Sequence, residues 1–323
     1  MNENVDVSIC IVSWNTCEVL RDCLQSLFRN SEKLSIEVVV VDNASTDSTV
    51  EMVINEFKEV TLIENKQNLG FSRANNQAIR ISSGEFILIL NPDIIIKKPL
   101  LRTLKHFFLN HTDAGVVGCK LVNLDGTTEM SYRHSFPTPL TELKQGLLIH
   151  RLFKGTTDIP NDKKDKIEVA WIIGAFMFFR RDVLMHMGGF DERYFIYTED
   201  ADLCYRLMQN GLKVYYVNSI EVIHYHGASS KKQKKHYFST IMQRQSRYYF
   251  MLKYYGLPKA IIYRFIWIFS GFMRGFISAV FLLTTFAVSK NKSDHYLKIL
   301  ITYFRVLLWG LGFEKWTRNP LGL

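Results

Sequence analysis

Residues 36–42 read IEVVVVD, four consecutive valines closed by an aspartate. A strand with one wet face alternates apolar and polar residues. An unbroken β-branched run instead suits a strand covered on both faces, the situation of strands in helix-covered parallel sheets. Working outward, residues 7–13 (VSICIVS) form a second such run, and Val19, Leu20, Cys23, Leu24, Leu27 and Phe28 follow at helical spacing. Ser45-Thr46-Asp47 supplies cap chemistry for a helix reaching about Phe57. The alternation continues with strand 60–64, helix 71–81, strand 86–90 and helix 100–109. Strands alternating with helices build βαβ units, so the fold class is α/β with a doubly wound, mostly parallel sheet flanked by helices.

The alternation stops after a strand at 116–122. Residues 123–168 are polar, charged and proline-containing, which predicts a large loop or insertion. Order returns with VAWIIGAFMFF at 169–179, a helix from near Arg181, a turn at Gly188-Gly189, a helix over 200–209, and short strands near Val214 and Val222.

The 323 residues carry 47% apolar and 22% charged side chains, which excludes a disordered tail or a disulfide miniprotein. The net charge of +9 is unevenly spread: from Ala228 onward there are 16 Lys and Arg against 2 Asp and Glu, with 21 of the 43 aromatic rings. The expected organisation is a catalytic domain over 1–228 and a basic, aromatic helical region over 229–323. Five cysteines, Cys10, Cys17, Cys23, Cys119 and Cys204, include no C-x-x-C pair and fit a reducing compartment. The opening MNENVDVSIC lacks the basic and apolar regions of a signal peptide, so the body is expected in the cytosol.

Open α/β sheets bind ligands beyond the carboxyl ends of their strands. Four such ends carry polar groups: Ser13-Trp14-Asn15, Asp42-Asn43-Ala44-Ser45, Glu64-Asn65 and Asn91-Pro92-Asp93. Asp and Asn there also cap the helices that follow. Pro92 holds Asp93 at a rigid strand end, where its carboxylate suits a divalent cation that takes its other oxygens from phosphate and water; N-P-D is equally a common turn. A second cluster, Glu199, Asp200 and Asp202, opens a helix, where negative charge is favoured by the dipole. It follows Tyr194, Phe195 and Tyr197, which desolvate a carboxylate and suit a general base. No Walker loop, dinucleotide fingerprint, G-x-S-x-G elbow or H-E-x-x-H pair occurs, which removes the enzyme classes built on them.

The series VSICIVSWN, VVVVDNASTDST, NLGFSRANNQAI, FILILNPD, GAFMFFRRDVL, GGFDERYFIYTEDADLCYRL and VIHYHGAS resembles the family 2 glycosyltransferases of GT-A fold, in particular rhamnosyltransferase-like members, from about Val7 to Ser229. The resemblance implies an inverting transfer from a nucleotide diphosphate sugar. Ser13, Asn15 and Asp42 would hold the nucleoside, Asp42 accepting from a pyrimidine imide N–H. Asn43, Asn68, Arg73, Asn76 and Asn91 would complete the donor site. Asp93 matches the last acid of the D-x-D motif and meets a divalent cation, Mg²⁺ or Mn²⁺, with His224 as a further metal or diphosphate contact. His224 and His226 also read as a strand-end pair packing on the sheet. Asp200 matches the catalytic base, with Glu199 beside it. Gly174 and Ala175 match the segment under the acceptor and donor sugar, and Trp171 is a candidate acceptor wall. The sequence departs from the pattern at Asn91, where the motif has its first acid, and at Asn75, where many members carry the arginine here found at Arg73. Both choices resemble the rhamnosyltransferase branch, which implies dTDP-rhamnose as donor, with a UDP-hexose as the alternative.

The tail alternates large apolar residues with Lys and Arg. Residues 275–289 are uncharged, and Trp267, Trp309 and Trp316 punctuate the rest, a pattern of helices lying in a membrane interface. The run KKQKK at 231–235 adds attraction to an anionic membrane surface. A transmembrane hairpin over 261–289 and 297–313, or a soluble helical subdomain buried in itself or in a homodimer, are the alternatives. Basic residues interleaved with aliphatics argue against nucleic acid. The enzyme is thereby expected peripherally on the cytoplasmic face of the membrane, meeting a lipid-linked saccharide acceptor in cell-surface polysaccharide synthesis. A non-catalytic membrane scaffold on the same fold is the competing class, though it has no use for Asp42, Asp93, Glu199 and Asp200 together.

Overall fold

A computed structural model describes residues 5–31, 34–146, 164–225, 237–285 and 290–314. The KKQKK run, His226 and Trp316 lie outside them, as do 147–163 of the expected insertion. The described residues form two compact units. One takes in 5–31, 34–136, 164–195 and 199–225; the other takes in 137–146, 196–198, 237–285 and 290–314.

In the first unit, β1 (Val7–Ser13), α1 (Cys17–Arg29), β2 (Ile36–Asp42), α2 (Thr49–Glu56), β3 (Val60–Glu64), α3 (Phe71–Ile81) and β4 (Phe86–Leu90) follow the expected alternation. β1 to β4 are mutually parallel in the spatial order β3-β2-β1-β4, so Ser13, Asp42, Glu64 and Asn91 all stand at one edge. The valine run is buried from Val38 to Val41, and the layers on its two faces are separate apolar cores, one containing Val38 and Val40, the other Val39 and Val41. This two-faced burial is what an unbroken run of valines requires.

Beyond a two-residue strand β5 (Ile94–Ile95) and α4 (Leu101–Asn110), β6 (Ala114–Val122) starts the other half of the sheet. The 123–168 stretch is more ordered than a loop: it holds β7 (Thr128–Glu129), β8 (Tyr132–Arg133), α5 (Pro139–Gly146) and the start of β9 (Lys166–Val169). The apolar run at 169–179 is two strands, β10 (Trp171–Ile172) and β11 (Phe176–Arg180), separated by Gly174-Ala175. β11 runs antiparallel to β4, with Phe176 opposite Leu90, which brings Gly174-Ala175 to the same edge as Asn91. After α6 (Arg181–His186) and α7 (Glu199–Gln209) comes β12 (Lys213–His224), one bulged strand where two short ones are expected. It is parallel to β6, which places His224 at that edge too. Gly70 opens α3 at φ 83°, and a Cβ there would lie 2.4 Å from Phe195 O, so no other residue fits this turn.

In the second unit, helical φ/ψ is broken at Gly256 (φ 80°) inside α8 (Phe238–Thr285), next to Pro258, so α8 is two helical segments. Its second segment pairs antiparallel with α9 (Lys290–Gly310): Gly271 faces Tyr303 and Leu307, while Phe281 stacks on Tyr296. Ile241, Tyr263, Trp267, Val306 and Trp309 form its core. α5 packs here as well, its buried Glu142 accepting from Trp267 Nε1 at 3.1 Å and pairing with Arg247. All five cysteines are buried and unpaired, as a reducing compartment allows.

Candidate active site at the carboxyl edge of the sheet

The loops after β1 and β2 are stitched together. Asn15, at φ 56°, accepts from Thr46 N at 2.7 Å through Oδ1, and its N–H donates to Ser45 Oγ at 2.8 Å. Asn43 binds Asn68 Oδ1 and Gly70 O through Nδ2 and accepts from Leu69 N and Asn65 through Oδ1. Asn68 in turn accepts from Gly70 N at 2.9 Å. Ser13 Oγ pairs with Thr16 at 2.7 Å. These groups build the rim.

Asp42 differs from them. It is buried, its Oδ2 accepts from Ser45 N at 2.9 Å, and its Oδ1 is buried with no hydrogen-bond partner. A buried carboxylate oxygen without a donor is costly unless a ligand supplies one.

Two expected donor residues are directed elsewhere. Asn76 is turned inward, donating to Phe190 O at 2.8 Å and accepting from Phe190 N at 2.9 Å. Arg73 lies 3.4 Å from Glu192, which Asn76 and Arg80 also approach. The α3 face is thus tied to the 190–192 turn.

Asn91 N–H donates to Ala175 O at 3.0 Å, and the adjoining Gly174 N–H donates to Asp200 Oδ2 at 3.0 Å. The end of β4, the β10–β11 turn and the start of α7 are therefore joined by one backbone bond and one backbone-to-carboxylate bond. Asp200 Oδ1 also accepts from Ala201 N at 2.7 Å. Burial raises the Asp200 carboxyl to about 6 against the pull of those two N–H groups. Glu199 beside it is also pushed up, by burial first and then by the Asp200 charge, and its Oε2 is buried without a hydrogen bond. Both carboxyls of the pair are thus raised by burial, and Asp200 is the one whose two oxygens are held by backbone N–H groups. Asp202 has another task, accepting from Tyr194 Oη at 3.1 Å and from Arg206 Nε at 2.9 Å. Trp171 sits on the β8–β10 ribbon, its Nε1 bonded to Ser135 O and its ring 5.8 Å from the Arg133 guanidinium.

Asp93 and His224 are brought together. Tyr225 N donates to Asp93 O at 2.7 Å, His224 pairs with Ile94, and His224 Nε2 lies 3.3 Å from Asp93 Oδ1. That oxygen is buried and receives no well-directed hydrogen bond. Glu129, which the sequence did not single out, reaches His224 Nδ1 at 2.6 Å. Burial alone would lower the imidazole pKa, but Asp93 and Glu129 outweigh it and raise it to about 9. Among the described residues no three His, Cys, Asp or Glu side chains are arranged to hold a metal by themselves. One carboxylate and one imidazole, both buried at a strand edge, do fit a cation that shares its remaining positions with diphosphate oxygens and water.

A sequence model described as "Glycosyl transferase family 2" matches residues 8–188, and one described as "Glycosyl transferase family group 2" matches 163–313. The chain is a family 2 glycosyltransferase. This glycosyltransferase is 28% identical, over 69% of its length and 76% of the relative's, to the N-acetylglucosaminyl-diphospho-decaprenol L-rhamnosyltransferase of Mycobacterium tuberculosis. It is also 28% identical to the rhamnosyltransferase WbbL of Escherichia coli K12, over 68% of this chain and 83% of that one. Among solved structures, the mannosyltransferase PcManGT of Pyrobaculum calidifontis, in complex with GDP-Man and Mn²⁺, shares the fold with a TM-score of 0.55 at 16% identity. That match covers 95% of this glycosyltransferase and 88% of the other chain. The expected GT-A fold is thereby established.

Proposed function

We propose that this enzyme transfers L-rhamnose from dTDP-rhamnose to a lipid-linked saccharide, with inversion, at the cytoplasmic face of the membrane during cell-surface polysaccharide assembly. The observation that carries the catalytic part is Asp200. It is buried, raised to about 6, and aimed by the Gly174 and Ala201 N–H groups. A carboxylate so poised takes the proton from an acceptor hydroxyl as that oxygen attacks the anomeric carbon in a single displacement. The attacking oxygen forms the new glycosidic bond as the bond to the nucleoside diphosphate breaks, and the electron pair leaves with the diphosphate. Asp200 is preferred to Glu199 as the base because its carboxylate is the one aimed by two backbone N–H groups.

On the donor side, Asp42 offers one oxygen, since Ser45 occupies the other. A single acceptor matches the lone imide N–H of thymine or uracil better than the paired donors of guanine. Asp93 and His224 would hold a divalent cation, which supplies Lewis-acid stabilisation of the charge on the departing diphosphate. The choice of rhamnose over a UDP-hexose is supported by the two rhamnosyltransferase relatives and by the Asn91 and Asn75 departures. A diphosphate-lipid acceptor is supported by the name of the mycobacterial relative.

Membrane attachment is supported by the second unit, which carries several buried polar groups beside its aromatic core and a long exposed apolar stripe. Its interior holds Glu142, Ser270 bonded to Gly146 O, and Trp309 Nε1 bonded to Gln245 Oε1. Outward, at spacings of three and four, stand Ile261, Phe265, Phe269, Phe272, Phe276, Val280 and Leu283, with Phe272 65% and Leu283 79% exposed. Such a stripe, about 33 Å long at ~1.5 Å per residue, matches a hydrocarbon layer about 30 Å thick. Among the described residues α8 is the one helix long and apolar enough to cross a membrane. Lys290, Lys292 and Lys298 on exposed positions of α9 suit a headgroup layer. We place the catalytic domain at 1–228 and the membrane-associated region at 229–323, with α5 packing on the latter.

Calorimetric titration of the detergent-solubilised chain with dTDP, UDP and GDP, each with and without Mn²⁺, tests the donor reading. Tight Mn²⁺-dependent binding of dTDP, lost in Asp42→Ala, is expected. Preference for UDP would favour the hexose donor, and no binding by any of the three would return the scaffold class.

A further inference from the structure

We propose that Glu129 is a positioning residue of the cation site, holding His224 through Nδ1–H so that Nε2, on giving up its proton in favour of a cation, is already aimed beside Asp93. The inference rests on the reading of Asp93 and His224 as cation ligands.

Glu129 arrives there by a short stapled hairpin. Asn123 N donates to Thr127 O at 2.8 Å, Thr127 N donates to Asp125 Oδ1 at 2.9 Å, and Gly126 takes φ 81°. These bonds turn the chain back so that β7 pairs with the end of β6, Glu129 opposite Leu121. β12 pairs with the same residues of β6 on its other side, Val222 opposite Leu121 and Ile223 opposite Val122. Glu129 and His224 thus reach across the end of one strand from its two neighbours. Their side chains meet at 2.6 Å, and both are largely shielded from water, at 14% and 7% exposure.

The chemistry follows from imidazole having two distinct nitrogens. A histidine that binds a metal through one nitrogen almost always donates its other N–H to a carboxylate, carbonyl or water, which fixes the ring and raises its basicity. Here the Nδ1 side is held by Glu129 and the Nε2 side faces Asp93 Oδ1. Glu129 lies on the far side of the ring from Asp93, so it acts on a cation through His224 and not as a ligand. Without it the ring loses the carboxylate that holds its Nδ1 side, and Nε2 is less well fixed beside Asp93.

The test is Mn²⁺ binding to the full-length chain in detergent, in the presence of dTDP or UDP, followed by the spin-resonance signal of free Mn²⁺. Wild type, Asp93→Ala, His224→Ala, Glu129→Ala and Glu129→Gln are compared. Glu129→Ala is expected to lose about 10–100-fold in Mn²⁺ affinity. Glu129→Gln retains an oxygen that accepts from Nδ1–H and is expected to recover part of that loss, whereas metal-free nucleotide binding stays at the wild-type level in both. The conservative variant also keeps the test decisive should Glu129→Ala fold poorly. Wild-type Mn²⁺ affinity in both Glu129 variants, with His224→Ala and Asp93→Ala weakened, would overturn the positioning role alone. If wild type itself binds no Mn²⁺, or if His224→Ala and Asp93→Ala leave its affinity unchanged, the cation reading falls and the inference with it.

Discussion

The N–H of Gly174 donates to Asp200 Oδ2 at 3.0 Å, so the turn between β10 and β11 aims the carboxylate that opens α7. The two residues are 26 positions apart, and the bond joins the two halves of the proposed catalytic centre. Asp200→Asn keeps the shape and an acceptor for this bond but removes the base. Its kcat is expected to fall by about 10²–10⁴ with donor affinity unchanged. Transfer rates at saturating donor, set beside calorimetric donor binding, check both halves, and near-normal turnover would remove Asp200 from the role of base.

The same carboxylate should write itself into the pH profile. With the folded-state value raised to about 6, kcat/KM is expected to fall tenfold per pH unit below it. The stability effect has the opposite sense. Between the ordinary aspartate value of 3.8 and about 6 the folded protein binds more protons at Asp200 than the unfolded chain does, so stability declines as pH rises through that window. Above it the ionised buried group costs up to about 3 kcal/mol. Asp200→Asn should therefore raise the thermal midpoint at pH 8, and the gain should shrink as the pH is lowered toward 4. A constant gain at all pH values would refute this origin.

Asp202 offers a control two residues away. It is fully buried between Tyr194 Oη and Arg206, whose other nitrogens donate to Met187 O and Gly189 O. Asp202→Ala removes the carboxylate from a half-buried guanidinium and leaves Tyr194 Oη without its acceptor, and is expected to cost about 1.5–3 kcal/mol. Chemical denaturation would reveal it as a shifted midpoint. Its signature is lost stability, whereas that of Asp200→Asn is lost turnover in a stable protein.

For the outer stripe of α8, Phe265→Glu with Phe272→Glu replaces two exposed rings, at 65% exposure each, by charges. The double variant is expected to drop out of the membrane fraction in flotation with anionic vesicles by more than tenfold, since each buried aromatic side chain contributes about 1.5–3 kcal/mol. Unchanged flotation would mean that lipid does not cover this face.

Much of this was legible in the chain itself. The valines at 38–41, the VSICIVS run and the helical spacings between them specify a covered parallel sheet, because burial on two faces favours a near-continuous apolar run over polar–apolar alternation. The strand-end acids Asp42 and Asp93 and the Glu199-Asp200 pair stood out for the same local reasons. What periodicity does not encode is partnership across the sheet. Only the tertiary structure decided that β11 returns antiparallel beside β4 to bring Gly174 against Asp200, and that Asp202 is tied to Arg206 while its neighbour is not. Only there does Asn76 turn inward to Phe190, and Glu129, in a stretch that reads as polar loop, meet His224 across β6. Hydrophobic patterning acts between neighbours along the chain, whereas the desolvation and hydrogen bonding that give a carboxylate its role depend on groups far away in sequence.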